Sequence, residues 1–163
     1  KANANNFGEL DVARGSFAAC GNGTRGLWGG GNTGSVSEVI DWVVMASLGN
    51  ANDFGNLYVA RDRLGACSDD TKGIWSGGDD SSSDDTIDYV NIASQGDANN
   101  FGNLNVGGQN LSACSDGTKG LVGGGRSTTN IIDYFVMASL GDANDFGNLT
   151  VARHAVSGSC SGD

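Results

Sequence analysis

Proline is absent from this 163-residue sequence, basic residues are few, and no hydrophobic run is long. Without proline, and with 28 glycines at no fixed three-residue period, the chain does not fit a collagen helix. No apolar stretch approaches the roughly 20 residues that a membrane-spanning helix needs. Nine basic residues against 19 acidic ones give a formal net charge of −10, which repels phosphate backbones and anionic lipid surfaces. We therefore predict no nucleic-acid partner and no membrane insertion.

Glycine is what the chain has in abundance, and it stands between short apolar runs. An interior glycine costs a helix about 0.5–1 kcal/mol relative to alanine, so long helices are disfavoured. The apolar runs are separated by Gly, Asn, Asp and Ser, which is the pattern of many short strands joined by turns. The composition predicts an all-β fold.

Three landmarks recur in one register along the chain. A phrase of the form Asn/Asp-Ala-Asn-Asn/Asp-Phe-Gly-x-Leu occurs four times, and its phenylalanines are Phe7, Phe54, Phe101 and Phe146. The cysteines keep the same step and are Cys20, Cys67, Cys114 and Cys160. A glycine pair repeats at 30–31, 77–78 and 124–125. The spacings are 45 to 47 residues, so the sequence is an internal repeat array.

One repeat unit contains four predicted strands. The first runs from Arg61 towards Cys67, and the second covers 73–78 and ends in the glycine pair. After a polar loop at 79–85, the third strand at 86–92 is rich in β-branched and aromatic residues. The phenylalanine phrase supplies the fourth, outer strand. Each unit is thus predicted to be a four-stranded antiparallel sheet.

These units resemble kelch repeats, and the resemblance extends over essentially the whole chain. The residues that carry it are Arg61, Trp75-Ser-Gly77-Gly78, Asp88-Tyr89, and Phe54 or Phe101 in place of the family's usual late tryptophan. Gly108 departs from the pattern, because it stands where the other units have arginine. The resemblance implies blades of a β-propeller, and the alternative architecture is a stacked β-solenoid fibre.

The recurring residues have a structural interpretation within such blades. Glycine pairs allow neighbouring backbones to approach closely, while Trp75, Tyr89 and Phe101 fill the space between blades, each worth roughly 1.5–3 kcal/mol when buried. The third-strand aspartates are expected to accept a hydrogen bond from a neighbouring turn; they are Asp41, Asp88 and Asp133. The recurring arginines are expected to pair across blades; they are Arg14, Arg61 and Arg153.

Counting from arginine to arginine gives three complete units, which are 14–60, 61–107 and 108–152. Residues 1–13 are then predicted to be an orphan outer strand, and 153–163 an orphan first strand. Three units do not close a ring of typically 4–8 blades. We expect the sequence to be part of a longer array, or further copies to complete the assembly; two copies would give about seven units.

The cysteines and acidic residues suggest little chemistry. No Cys-x-x-Cys pair favours zinc, and equivalent positions in adjacent blades lie beyond the ~7 Å Cα separation that a disulfide allows. We predict small buried hydrophobes near the axis, whereas a solenoid would align the cysteines in a ladder. The stretch 79–85 offers oxygen ligands for calcium but lacks the spacing of a calcium loop, so we predict a solvated acidic loop and no metal.

No catalytic constellation stands out either. His154 is the sole histidine, and serine and aspartate are so common here that a Ser-His-Asp combination indicates nothing. Galactose oxidase shares a kelch-like propeller, but its copper site needs histidines that this chain does not have. The glycine runs lack the Lys-Ser/Thr of a phosphate-binding loop. We predict that the protein is not an enzyme and uses no cofactor.

The loops after the glycine pairs differ between units while the framework does not, as a binding face on a repeated scaffold should. The predicted binding residues are Asn32, Thr33, Ser35, Asp79, Asp80, Asp84, Asp85, Arg126, Thr128 and Asn130. By similarity to Gly/Asn/Asp-rich repeats of marine phage and bacterial surface proteins, we expect an extracellular or virion-surface adhesion module that binds protein or glycan. The alternative is an intracellular kelch-like adaptor between proteins.

Overall fold

The computed structural model describes residues 3–81, 83–126 and 129–154, and this part of the chain contains strands and turns but no helix. No segment of it is therefore a helix long and apolar enough to cross a membrane. Twelve strands form three four-stranded sheets. The first sheet contains β1 (Ala18–Gly21), β2 (Arg25–Gly29), β3 (Val39–Val44) and β4 (Asn52–Asn56). The second contains β5 (Gly65–Ser68), β6 (Lys72–Asp79), β7 (Ser83–Asn91) and β8 (Asn99–Asn103). The third contains β9 (Ser112–Ser115), β10 (Lys119–Gly123), β11 (Ile131–Val136) and β12 (Asn144–Asn148).

Each sheet is an antiparallel meander in which strands adjacent in sequence are hydrogen-bonded neighbours. The register repeats as well: the third and fourth strands shift by one residue at the same Ile-Asp step in all three sheets. The prediction of an all-β chain of four-stranded antiparallel sheets is confirmed.

The first hairpin of each sheet is closed by a side chain that accepts two backbone hydrogen bonds. Asn22, Asp69 and Asp116 each use Oδ1 to accept from the N–H groups two and three residues further on. Burial raises the pKa of Asp69, but hydrogen bonds from Lys72 and Thr71 outweigh it and lower that pKa below its usual value. The short polar side chain thus fixes the turn in every unit.

The glycine pairs join one sheet to the next. All six glycines at 30–31, 77–78 and 124–125 have positive φ, which side chains other than glycine seldom adopt. Gly31 N donates to Arg61 O at 3.0 Å, and Gly78 N donates to Gly108 O at 2.7 Å, the next unit in each case. A Cβ on Gly77 would lie 2.7 Å from that same carbonyl oxygen of Gly108. The predicted close approach of neighbouring backbones is confirmed.

Two hydrophobic cores lie between the sheets rather than within them. The core between the first and second sheets includes Leu27, Ile40, Phe54, Trp75 and Val90. The core between the second and third includes Ile74, Ile87, Phe101, Val122 and Phe135, with Tyr89 packed against it. Trp75 is fully buried and its Nε1 donates to Ala18 O across the interface at 3.1 Å. The prediction that the large aromatic residues fill the space between sheets is confirmed.

The first strands of successive sheets lie side by side. Ser68 Oγ on β5 donates to Gly21 O on β1 at 2.6 Å, and Ser115 Oγ on β9 donates to Ser68 O at 2.9 Å. Close packing supports these bonds, since a Cβ on Gly65 would lie 3.2 Å from the Cβ of Ala113. The sheets are therefore linked at their first-strand edges.

Two predicted segments differ from the structure. The polar loop expected at 79–85 is shorter, because pairing continues past a bulge in β7, where Asp85 and Thr86 together face Gly77, to Gly78 opposite Asp84 and Asp79 opposite Ser83. Asp84 and Asp85 therefore lie in β7 instead of a loop. Residues 3–13 form no strand, although Phe7 O still accepts from Gly49 N at 2.9 Å. They have no third strand of a preceding sheet to pair with, which a strand needs.

Candidate functional site

A buried arginine–aspartate pair recurs in the first two units. Arg61 Nη1 lies 2.8 Å from Asp88 Oδ2, and its Nε donates to Gly77 O at 2.8 Å. Arg14 makes the same contacts with Asp41 and with the carbonyl of its own glycine pair. All four side chains are buried. The predicted structural role holds, but the expected pairing across blades is wrong, since each arginine reaches the aspartate of its own sheet.

This buried arginine–aspartate pair, called the clasp below, is an internal support of its sheet. Burial raises the pKa of Asp88, against the opposing effect of the Arg61 guanidinium and of hydrogen bonds. The second carboxylate oxygen, Oδ1, accepts no hydrogen bond from described residues in either Asp41 or Asp88. Such a pair is costly to break, because removing one partner leaves an uncompensated buried charge.

The third unit replaces the clasp by another arrangement. Gly108 stands where the other units have arginine, and Asn105 donates to Asp133 through its backbone N at 2.9 Å and through Nδ2 at 2.8 Å. A cavity of about 10 Å³, bordered by Gly108 and Asp133, remains beside it. In the third sheet Asn105 therefore supplies the hydrogen bonds to the buried aspartate that an arginine guanidinium supplies in the first two sheets.

Cys20 and Cys67 each pack against a glycine of the next sheet. The sulfur of Cys20 lies 2.8 Å from the position of a Cβ on Gly73, and that of Cys67 lies 3.2 Å from one on Gly120. Burial raises the pKa of Cys20 to about 12, so its thiol is inert at neutral pH. Both cysteines pack as predicted, Cys67 buried and Cys20 partly buried, whereas their place near an axis stays a prediction. Cys160 lies outside the described residues.

A hydrogen-bonded line of three strained residues marks one surface of the array. Ser16, Arg63 and Asn110, which are 47 residues apart, have φ values of 57°, 58° and 58°. Arg63 N donates to Ser16 O at 2.8 Å, and Asn110 N donates to Arg63 O at 2.7 Å. Left-handed backbone at non-glycine residues costs on the order of 1–3 kcal/mol and is often found at binding sites.

A polar cleft of about 290 Å³ opens beside this line. The lining residues are Asn32, Ser35, Val36, Asp62, Arg63, Asp79, Asp80 and Ser81. Arg63 Nη1 bonds Asp79 Oδ2 at 2.7 Å, and Asn32 Nδ2 donates to Asp62 Oδ2 at 3.0 Å. These internal bonds hold carboxylate, amide and guanidinium groups in fixed positions at the mouth of the cleft.

The structure brings four of the predicted binding residues together in this cleft, namely Asn32, Ser35, Asp79 and Asp80. Thr33 is exposed nearby and its N donates to Ser35 O. Asp84 and Asp85 lie outside the cleft on β7. Arg126 and Asn130 belong to the third unit's loop, where Arg126 N donates to Gln109 O. Thr128 lies outside the described residues.

Sequence reasoning missed Asp62 and Arg63, which both line the cleft. They were assigned to the start of the first strand, next to the clasp arginine. A signal was present: the equivalent positions differ in every unit, with Gly15-Ser16 in the first and Gln109-Asn110 in the third. Variation between repeats at these positions matches the variation in the loops after the glycine pairs.

No group of three or more His, Cys, Asp or Glu side chains is arranged to hold a metal ion in residues 3–81, 83–126 and 129–154. The Asp79 carboxylate is instead engaged by Arg63, and Asp84 Oδ1 accepts from Thr86 N at 2.6 Å. No protein-family model matches the chain, and no curated protein matches its sequence.

Proposed function

We propose that this chain is a non-enzymatic binding module, a segment of a repeat array that presents a polar cleft between its first and second units. The observation that carries the proposal is the cleft itself. It gathers the variable residues Asn32, Asp62, Arg63 and Asp79 from two units onto one surface. The glycine pairs and the clasp arginines, which recur between units, are not among its lining residues.

The chemistry of the cleft favours a ligand rich in hydroxyl or amide groups. Carboxylates and an amide oxygen accept hydrogen bonds, while Arg63 and Asn32 donate them, and none of the described residues that line the cleft is aromatic. Its volume of about 290 Å³ fits a sugar residue or the tip of a protein loop. The ligand we propose is accordingly a glycan or a polar protein surface.

We further propose that the three sheets are kelch-type blades of a β-propeller. Two features support this arrangement over a solenoid: the first strands β1, β5 and β9 lie side by side, and the large aromatic residues pack further out between the sheets. Narrow first-strand edges and wide outer edges are what a radial array requires. A scattering profile of a disc or disc segment is expected, and a profile of a long rod would contradict it.

The proposed setting is extracellular or on a virion surface, where an acidic, glycine-rich adhesion module would be displayed. The free thiol of Cys20 favours a second candidate, an intracellular adaptor that holds a protein partner, because reducing compartments keep thiols reduced. Both candidates use the same cleft: the adhesion module would bind a glycan or a protein there, and the adaptor a protein.

The test is binding of the purified chain to an array of immobilised glycans, followed by affinity measurements on the glycans retained. Arg63→Asn and Asp79→Asn should each weaken binding at least about tenfold, since a hydrogen bond to a charged group is worth about 1.5–3 kcal/mol. Asn tolerates the left-handed backbone at position 63, as Asn110 shows. Asp84→Asn on β7 is the matched control. Unchanged affinity in both cleft variants would refute the cleft as the site, and no retention by any glycan would favour the protein-adaptor candidate.

A further inference from the structure

The two interfaces inside the array are built from equivalent halves. Each sheet has a leading face, which contacts the next sheet, and a trailing face, which contacts the preceding one. The leading face of the first sheet presents Leu27, Ile40 and Phe54, and the trailing face of the second presents Trp75 and Val90. The second and third sheets meet through the residues at the equivalent positions. The array thus uses one type of interface twice.

Backbone hydrogen bonds repeat at both interfaces. Gly96 N and Ala98 N on the second sheet donate to the outer strand of the first at 2.8 and 2.7 Å. Gly141 N and Ala143 N on the third donate to the outer strand of the second at 2.9 and 2.8 Å. The first sheet offers the same two donors, at Gly49 and Ala51, to residues 3–10 of its own chain.

Both ends of the array leave half an interface uncovered within the described residues. Phe54 and Phe101 are 3% exposed on the inner leading faces, but Phe146 on the third sheet is 57% exposed. On the trailing face of the first sheet an apolar groove of about 480 Å³ is open. Its lining includes Phe7, Leu10, Phe17, Trp28, Val43 and Met45.

Glycine contacts identify the same two open faces. A Cβ on Gly55 or Gly102 would lie within 2.4 Å of a carbonyl oxygen of the following unit, whereas one on Gly147 would meet no atom within 4 Å. Gly73 and Gly120 receive a cysteine sulfur from the preceding sheet. At Gly26, the equivalent position on the first sheet, the nearest atoms belong to side chains of the same sheet.

We propose that copies of this chain associate head to tail, with the leading face of the third sheet of one copy covering the trailing face of the first sheet of another. Strand β12 would take the place of residues 3–10 on the Gly49 and Ala51 donors. It is the stronger occupant, because β11 already pairs with it, while residues 3–10 are mostly exposed and belong to no strand. The inference rests on the proposed blade array.

The proposal fixes one contact that chemistry can trap. Since Cys20 meets Gly73 and Cys67 meets Gly120, Cys114 of one copy should meet Gly26 of the other. A disulfide places each Cβ about 3 Å from the partner's sulfur, which matches the 2.8 Å between the Cys20 sulfur and a Cβ on Gly73. Gly26→Cys should therefore form a disulfide with Cys114 of a second copy.

The experiment uses the full chain with Cys160→Ser throughout, oxidised with diamide, which takes up the two electrons and two protons released as each disulfide forms. Gly26→Cys is expected to give covalent dimers or longer ladders on a non-reducing gel, and adding Cys114→Ser should abolish them. All variants are oxidised at alkaline pH, because burial keeps the Cys20 thiol protonated at neutral pH. Gly73→Cys is the internal reference, because under these conditions it should cross-link within the chain to Cys20. If Gly73→Cys does not fold, Gly120→Cys serves as the reference instead, because it should cross-link to Cys67.

An intrachain disulfide in the reference variant, without any Cys114-dependent cross-link in Gly26→Cys at the same protein concentration, would overturn the proposal.

Sedimentation supplies a second readout. The mean mass of the unmodified chain in solution should rise with protein concentration, and more readily at higher salt, because each copy carries a charge of −10 that salt screens. The Phe146→Asp variant should remain monomeric. The control variant Leu140→Asp, at a residue of similar exposure (59%), should still associate.

A monomer at every concentration and salt condition would also refute association. The glycan-binding test probes the cleft formed by the first two units and does not involve either end face. Failure of one proposal is therefore distinguishable from failure of the other.

Discussion

At the scale of single residues, the fold depends on polar side chains that are buried where the repeat demands them. Arg61 bonds both Asp88 and the carbonyl of Gly77, so it ties the third strand to the glycine turn of the second strand. Asp133 of the third unit has no arginine partner among the described residues and instead accepts hydrogen bonds from Asn105, at the end of the second unit. The chain thus stabilises the equivalent buried aspartate in two ways, with an arginine in two sheets and with an asparagine in the third.

These two solutions predict a rescue. Arg61→Gly should lower the free energy of unfolding by about 3–5 kcal/mol, because Asp88 is left as an uncompensated buried charge. Adding Tyr58→Asn recreates the arrangement of the third unit and should recover about 1–3 kcal/mol of that loss. Urea denaturation measures both.

Tyr58→Asn alone is the control, and a small loss is expected because its backbone N–H already donates to Asp88 at 3.0 Å. A double variant no more stable than Arg61→Gly would show that the asparagine substitute works only in the surroundings of the third unit.

At the scale of elements, the outer strands decide how closely neighbouring sheets can approach. Gly55 on β4 has φ of +146°, and a Cβ there would lie 2.4 Å from Gly96 O in the next unit. The same approach recurs at Gly102 against Gly141 O. The glycine of the recurring phenylalanine phrase is therefore required both by its own backbone and by the neighbouring sheet.

Gly55→Ala is expected to destabilise the protein by about 1–3 kcal/mol, since alanine fits neither the positive φ nor the backbone contact. Gly49→Ala is the matched control, because a Cβ there meets nothing within 4 Å and its φ is not positive. Thermal unfolding of both variants should separate them clearly. Equal midpoints would mean that the outer strand shifts freely to make room.

At the scale of the whole molecule, stability comes from contacts between sheets, because the hydrophobic cores lie between them. The second sheet has both faces covered, whereas the first and third each have one face open within the described residues. In repeat arrays, each unit is stabilised by its neighbours, so a unit with two neighbours is held more firmly than a unit with one.

Amide hydrogen exchange should therefore be slowest in β5–β8 and faster in the corresponding strands of the end sheets when the protein is dilute. Concentrating the protein should slow exchange in the first and third sheets if copies associate through them. Uniform exchange over all three sheets in dilute solution would contradict a stability that depends on neighbours.

The sequence alone determined the repeat, the strand content and much of the internal packing. Periodic landmarks such as Phe54, Cys67 and the glycine pair at 77–78 mark equivalent positions, and equivalent positions in a repeat take the same local structure. Alternating apolar residues and short turn sequences then fix strands, because these depend on residues close together in the chain. Trp75 and Phe101 could be assigned to the space between sheets for the same reason.

Tertiary structure alone decided which residues meet. The Arg61–Asp88 pair joins residues 27 positions apart, and the cleft joins Asn32 to Asp62 across two sheets. Spacing in sequence does not encode such contacts, since they follow from how far a strand extends and which edges adjoin. The same reason explains why the sequence predicts a loop at Asp84 and Asp85: the hairpin continues past a bulge in β7 opposite Gly77, and bulges depend on the pairing partner.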